Sequence, residues 1–502
     1  MRSKQTGTCW GRTVFRSGTR RLVAAIIAVG VVAPVSMSAS ASAATGYDAV
    51  ADPGSMYSVV RATGAVDFWQ AGYTGQGVDV AVIDSGVAPV DGLSSPGKVV
   101  DGPDLSFDSQ VPALTRLDAF GHGTHMAGII AGRAAAAEGG YADDASNFLG
   151  MAPDARIVSI KVAAADGATD VTQVIAAIDW VVQHHDDPGM NIRVLNLSYG
   201  TVTAQEYGVD PLAFAVEQAW NAGIVVVAAA GNAGFASKKA SSMTAPAFDP
   251  HILAVGAADA RSTFTRRRFT VPSFSSSGNK ARRPDVVAPG AHVVSLRVPG
   301  SFLDEQFGAT GAVTPSLFRG SGTSQATAVV SGAAALVLQQ RPDLSPNDVK
   351  ALLMATATKL TGIGPERQGV GTIDLAKALR TATPKSAKSK KANKVRAARG
   401  GGSLEASRGS MHVVHNGVAL DGERDIFGRA LDSGSLAVDE RSGHAWVEGS
   451  WNGSTWSGST WSGSTWSGST WSGSTWSGST WSGSTWSGST WSVGAWADAE
   501  WS

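Results

Sequence analysis

Cysteine is nearly absent: the 502 residues include one, Cys9. A disulfide framework and a cysteine-built zinc site are therefore excluded. The chain also has no excess of either charge, with 41 Lys and Arg against 41 Asp and Glu. A dedicated nucleic-acid binder would carry a clear basic surplus, so that class is excluded too. No apolar run reaches the roughly 20 residues of a membrane-spanning helix. The nearest is Leu22–Met37, which Pro34 interrupts. Glycine, by contrast, is plentiful at 60 residues, and hydrophobic residues make up 43%, enough to fill a large core. At about 150 residues per domain, the length corresponds to two or three units.

The zero net charge conceals blocks. Residues 1–44 hold six basic and no acidic residues, and 385–399 hold seven basic and none acidic. Between 45 and 384 the acids lead by 31 to 24. At the N-terminus, Arg2 to Arg21 precede the apolar stretch, and small residues Ala39–Ala44 follow it. This is the order of a secretory signal peptide, residues 1–44, with cleavage after Ala41, Ala43 or Ala44. The expected mature protein is secreted or extracellular, has no thiol and has no membrane span. About thirty mature residues would then precede a core that begins near 75, too few for a folded prodomain of ordinary size.

From residue 78, β-branched runs alternate with helical patterns. Strands are predicted over Val78–Ile83, Arg156–Val162, Arg193–Ser198 and Ile224–Ala229. Helices are predicted over Thr124–Arg133, Asp170–His184, Pro211–Asn221, Gln325–Gln340 and Asp348–Ala357. Such alternation gives an α/β, doubly wound, mostly parallel sheet, and nearly apolar strands place it between two helical layers. The expected organisation is a catalytic-type domain over 45–383 and a basic linker over 384–400. A small or partly ordered segment, 401–445, and a low-complexity tail, 446–502, follow.

In the tail, Trp recurs every fifth residue from Trp446 to Trp501, with Gly-Ser-Thr-Trp-Ser as the unit from 453 to 492. Five is an odd step, so on one strand successive indoles alternate faces, and on a helix they scatter. Three readings stand side by side: a flexible polar tail, an aromatic element for cell-wall binding or self-association, and a small β-solenoid.

Three segments carry chemistry. In Ala81-Val82-Ile83-Asp84-Ser85-Gly86, a carboxylate ends an apolar strand, where open parallel sheets build their sites; a plain turn cap would look the same. In Gly121-His122-Gly123-Thr124-His125, an imidazole opens a helix between glycines. His122 is the natural general base, and His125 reads as structural, since no Cys or Glu completes a metal set. In Gly322-Thr323-Ser324-Gln325, a serine sits at the N-terminus of an apolar helix, beside unpaired amides and the positive end of the dipole; an N-cap alone would also place it there. Arg266-Arg267-Arg268 and His184-His185 read as solvated surface.

Together, in the chain order Asp, His, Ser, these segments resemble the subtilisin-like serine proteases, the subtilase family. The resemblance spans roughly 65–380 and includes Ala230-Gly231-Asn232, Phe274–Gly278 and Asp285–Gly290. It implies a catalytic set of Asp84, His122 and Ser324, with Asn232 donating to the oxyanion. It also implies a polypeptide substrate held as an extended strand along Ser198, Tyr199 and Gly200, with Ala229, Ala230 and Gly231 lining the primary pocket. No cofactor is required for the chemistry. A structural calcium is implied near Asp91, Asp144, Asp143 and Asn147, oxygen ligands suiting that ion; a solvated acidic loop is the alternative. Gln325 and Ala328 depart from the Met and Pro that the family commonly places there. The competing class is a catalytically idle cell-surface protein whose tail does the work on a protease scaffold.

Overall fold

A computed structural model describes residues 46–455 except 204, 238–239, 261–264, 385–395 and 416–417, together with 465–466 and 469–470. The expected signal peptide, most of the basic linker and most of the repeat tail lie outside the described residues.

Seven parallel strands form the central sheet: β1 (Asp79–Asp84), β2 (Val99–Asp104), β3 (Arg156–Lys161), β4 (Ile192–Leu197), β5 (Val225–Ala229), β6 (Leu253–Ala258) and β7 (Val286–Pro289). Their order is β2-β3-β1-β4-β5-β6-β7, and every neighbouring pair runs parallel. β1, β5 and β6 are buried at every position, because a parallel sheet with helices on both faces leaves no side chain for water. The strand order departs in both directions from β1, which makes its carboxyl end a switch point where a crevice opens.

The helices that matter to the site are α1 (Met56–Thr63), α2 (Ala65–Gln70), α3 (His122–Ala131), α4 (Val171–His184), α5 (Pro211–Asn221), α6 (Phe302–Gly311), α7 (Thr323–Gln340) and α8 (Pro346–Thr356). α7 is buried from Thr323 to Leu338; it packs against α3 and β4 to β7, as its Ala, Val and Leu content predicts. α4 starts at Asp170, whose side chain caps it in a reciprocal box with Gln173. α5 starts at Asp210 with Pro211 in its first turn. A small antiparallel sheet, β8 (Val293–Leu296), β9 (Ala312–Thr314) and β10 (Leu317–Gly320), ends two residues before α7 and feeds the chain into it.

Residues 396–455 pack against α4 and α5. Their Leu404, Leu420, Leu431, Trp446 and Trp451 join the same hydrophobic core as the sheet. Strands Trp446–Val447, Ser450–Trp451 and Ser454–Thr455 form a meander. Here the expected alternation of indole faces does not occur. Trp446 pairs directly across from Trp451, because a two-residue turn, Glu448-Gly449, with positive φ at both residues, reverses the chain between them. Cross-strand partners share a face, so a five-residue step across a hairpin returns the indole to the same side. Both indoles meet α4: Trp446 Nε1 donates to Ala176 O at 2.7 Å, and Trp451 Nε1 to Asp179 Oδ2 at 2.7 Å. Trp451 is fully buried, worth ~5 kcal/mol if about 200 Å² of apolar surface leaves water.

Candidate active site

β1 delivers Asp84 to the crevice floor. His122, the first residue of α3, places Nδ1 at 2.9 and 3.0 Å from the two oxygens of Asp84, and both side chains are fully buried. The Ser85 amide also donates to Asp84 Oδ1 at 2.8 Å. Glycine at 123 is what allows the approach. A Cβ there would lie 2.1 Å from Gly86 O and 3.2 Å from Asp84 Cβ, so any side chain would push α3 off β1.

Sequence reasoning missed the support beneath this pair. Asp118 is buried, and its Oδ1 accepts from Gly121 N at 2.6 Å and Ser85 Oγ at 2.8 Å; its Oδ2 accepts from Thr124 N at 2.7 Å. Ser85 Oγ in turn accepts from Gly123 N at 2.9 Å. One carboxylate thus ties the first turn of α3 to the end of β1. Burial, reinforced by the neighbouring Asp84, pushes the Asp118 carboxyl above the usual range. The spacing Asp-x-x-Gly-His just before the helix was the available signal. His125, read as structural, is buried, and burial together with His122 pushes its imidazole down to about 3; it is neutral at any working pH.

Ser324 lies in the first turn of α7, after Gly322. Three bridges fix that turn. Asn232 Oδ1 accepts from Thr323 N at 2.9 Å and from Thr323 Oγ1 at 3.1 Å. Gly231 N donates to Thr323 Oγ1 at 3.1 Å. Ser198 Oγ donates to Ser324 O at 3.3 Å, itself accepting from Asn196 Nδ2 at 3.1 Å. The ends of β4 and β5 and the start of α7 are thereby one hydrogen-bonded unit. The serines of Phe274–Gly278 complete it: Ser276 Oγ accepts from Ala233 N at 3.1 Å, and Ser275 Oγ from Ala257 N at 3.0 Å.

Ser198, Tyr199 and Gly200 are buried, which leaves main-chain atoms as their means of contact. Thr201 continues the segment by pairing with Ala245, with bonds of 3.0 and 2.9 Å. Ala229 and Ala230 are buried, and Gly231 is half-buried. The acidic residues proposed for calcium bond to protein groups. Asp144 Oδ1 accepts from Ser146 N and Asn147 N, its Oδ2 accepts from Asn147 Nδ2, and Asp91 Oδ1 accepts from Ala135 N. Asp144 is taken up by its own loop and Asp91 by the amide of Ala135, 44 residues on, and neither belongs to a group of three ligand side chains among the described residues, so the fit to calcium is poor. Among the described residues, the one group of three His, Asp or Glu side chains at ligand spacing is Glu217, Asp249 and His251. There the His251 Nδ1 lies 3.0 Å from Glu217 and 3.2 Å from Asp249. Burial alone would lower this imidazole, but the bonds to Asp249 and Glu217 more than offset it and hold it at about 9. An imidazolium thus supplies the cation.

A parallel sheet that brings a carboxylate–imidazole pair and a helix-start serine to its carboxyl edge defines a hydrolase scaffold, and similarity to known proteins specifies which. Residues 75–371 match the Subtilase family, and the chain belongs to that family of subtilisin-like serine endopeptidases. It is 36% identical over 307 residues to serine protease AprX of Bacillus subtilis (strain 168), covering 60% of this chain and 66% of that one. It is 35% identical over 289 residues to subtilisin DY of Bacillus licheniformis, covering 58% and 86%. The crystal structure of fervidolysin from Fervidobacterium pennivorans, a keratinolytic enzyme related to subtilisin, is similar with a TM-score of 0.53 at 27% identity. That match covers 68% of this chain and 48% of fervidolysin. The chain thus spans about two thirds of AprX and about half of fervidolysin. No helix of the described residues is long and apolar enough to cross a membrane.

Proposed function

We propose that the protein is an exported serine endopeptidase that hydrolyses peptide bonds through an acyl-enzyme on Ser324. The observation that carries the reading is the buried His122–Asp84 pair, bonded through Nδ1 at 2.9 Å. An imidazole held by Nδ1 has its Nε2 as the basic atom. Ser324 Oγ attacks the scissile carbonyl, and His122 Nε2 takes its proton. The tetrahedral oxyanion is met by the Asn232 side-chain amide and the first-turn amides of α7. His122 then hands the proton to the departing amine, leaving the acyl ester. Water enters, gives its proton to His122, and releases the acid as Ser324 recovers its hydrogen. Asp84 fixes the tautomer and stabilises the imidazolium throughout.

The substrate lies extended along the main chain of Ser198–Gly200 as an added strand. The small walls Ala229–Gly231 suit a sizeable apolar side chain next to the cut. The Trp-repeat tail binds the cell envelope or other copies; a chain truncated after Thr455, which keeps the docked Trp451, that binds cell walls as well as the full chain would remove that role. A fluorophosphonate probe with intact-mass readout tests the chemistry. The expected result is one adduct on Ser324, lost in Ser324→Ala, on a chain that begins after Ala41, Ala43 or Ala44. Folded protein without an adduct would favour the idle scaffold instead.

A further inference from the structure

The loop that leaves the substrate edge is bonded to the C-terminal segment at Thr203, Gln205 and Gly208–Asp210. Arg399 N donates to Gly208 O at 3.0 Å, and Gly402 N to Val209 O at 2.7 Å. Gln205 exchanges bonds with the main chain of Ser403, giving at 2.7 Å and accepting at 3.1 Å. Thr203 Oγ1 donates to Ala406 O at 2.8 Å, and Ser407 Oγ to Asp210 Oδ1 at 3.1 Å. The backbones are so close that a Cβ on Gly409 would lie 2.0 Å from Val202 O. Connecting loops ordinarily run free over the surface; this one is sewn down.

The seam has an anchor. The side chain of Arg408 is fully buried, and its Nε lies 2.7 Å from Asp170 Oδ2, also fully buried. The rest of the guanidinium donates to Gly422 O at 2.5 Å, to Arg424 O and to Glu405. A buried charge is tolerated only when paired and fully hydrogen-bonded, and this one meets that condition. Tyr199 lies within electrostatic reach of Asp170, Arg408 and Asp210, and burial followed by Asp170 pushes its hydroxyl well above the usual range. Arg408 and Asp170 thus pin the C-terminal segment at the start of α4, and the bond from Thr203 to Ala406 and the close approach of Gly409 to Val202 carry that hold to the residues just after Gly200.

We propose that Arg396–Gly409 is a positioning element of the substrate cleft, with Arg408 as its anchor, holding Ser198–Gly200 in the extended form that pairs with a peptide. This rests on the reading of Ser198–Gly200 as the pairing edge. A preformed edge spares the substrate the cost of ordering it, and the benefit grows with the number of substrate residues that pair. Affinity for long peptides, not chemistry at Ser324, depends on the anchor.

The test compares a single-residue p-nitroanilide with a tetrapeptide p-nitroanilide in wild type, Arg408→Met and Arg408→Lys. In Arg408→Met the expected KM for the tetrapeptide rises about tenfold, the ~1.4 kcal/mol cost of ordering one or two residues. The kcat of both substrates stays within about twofold. Arg408→Lys, which keeps the charge opposite Asp170, recovers part of the loss. Amide hydrogen exchange over 199–210 rises in Arg408→Met whether or not the protein is active. If Arg408→Met fails to fold, Gln205→Ala, which breaks two bonds of the seam, gives the same split at smaller size. Equal losses on both substrates, or unchanged KM and exchange in a folded variant, overturn the proposal. Wild type that cleaves neither substrate would instead overturn the protease reading, with the exchange result left to judge the anchor.

Discussion

The replacement Glu440→Gln should make the protein more stable at alkaline pH and flatten its pH dependence. Glu440, on the helix Ser433–Ser442, meets Asp179 of α4 at the docking face of the C-terminal segment. Both are buried, and Trp451 Nε1 closes the pair from the third side at 2.7 Å. The charged neighbours Asp439 and Arg441 act on Glu440 from its own helix. Burial, partly offset by the bonds from Trp451 and Glu440, raises the Asp179 carboxyl from 3.8 to about 7. Burial and the adjacent Asp179 hold Glu440 well above the usual range too. Because both folded values lie above the unfolded ones, the contribution to stability is full below about pH 4; the part from Asp179 is lost as the pH rises to about 7, and the part from Glu440 goes on being lost as the pH rises further. For Asp179 alone the loss is ~4 kcal/mol at about 1.4 kcal/mol per pH unit. A glutamine donates to the Asp179 carboxylate without needing a proton. Urea unfolding between pH 4 and 8 reads this directly. Wild type should lose stability steadily across pH 4 to 7. Glu440→Gln should lose less and stand above wild type at pH 8. Parallel pH curves for the two proteins would refute the shared-proton reasoning.

Three further outcomes follow from the site. Gly123→Ala, whose Cβ would meet Gly86 O at 2.1 Å, should abolish peptidase activity or expression, whereas Gly77→Ala, with open space around it but a positive φ, should cost only about 1 kcal/mol in thermal unfolding. Asp118→Ala removes three bonds that seat α3 on β1 and should lower kcat/KM at least about tenfold; steady-state kinetics on folded protein decide it. Asn232→Ala should lower kcat by about 10²–10³ with KM little changed, the size of effect that loss of an oxyanion donor has in subtilisin. Because Asn232 also anchors Thr323, circular dichroism must show the variant folded.

The candidate residues stood out in the sequence because each sits at one end of an element whose pattern is strong. Asp84 closes a run of β-branched residues, His122 opens a helix between glycines, and Ser324 opens the most apolar helix of the chain. The helix expected near Pro211–Asn221 lies there, with the Asp210 cap and Pro211 setting its origin, and the other boundaries moved by no more than two positions. β2, β6 and β7 escaped because Val99–Asp104 is broken by Gly102 and Pro103, Leu253–Ala258 is rich in Ala and Gly, and Val286–Pro289 is only four residues long, runs that periodicity cannot separate from a helix or loop. The docking of 396–455 was invisible for a different reason. Leu404, Leu420 and Trp451 are too sparse to form a core of their own, yet each fills a place in an existing one. The indole arithmetic failed because it treated the repeat as one straight strand, whereas the turn at Glu448-Gly449 resets the side-chain face.

Proton NMR of the folded enzyme tests the central claim, that carboxylate, imidazole and serine act as one bonded path. The account predicts a low-field resonance from the His122 Nδ1 proton facing Asp84, absent in His122→Ala and displaced when a phosphonate is attached to Ser324. A resonance that ignores modification of Ser324, or that survives removal of His122, would contradict it.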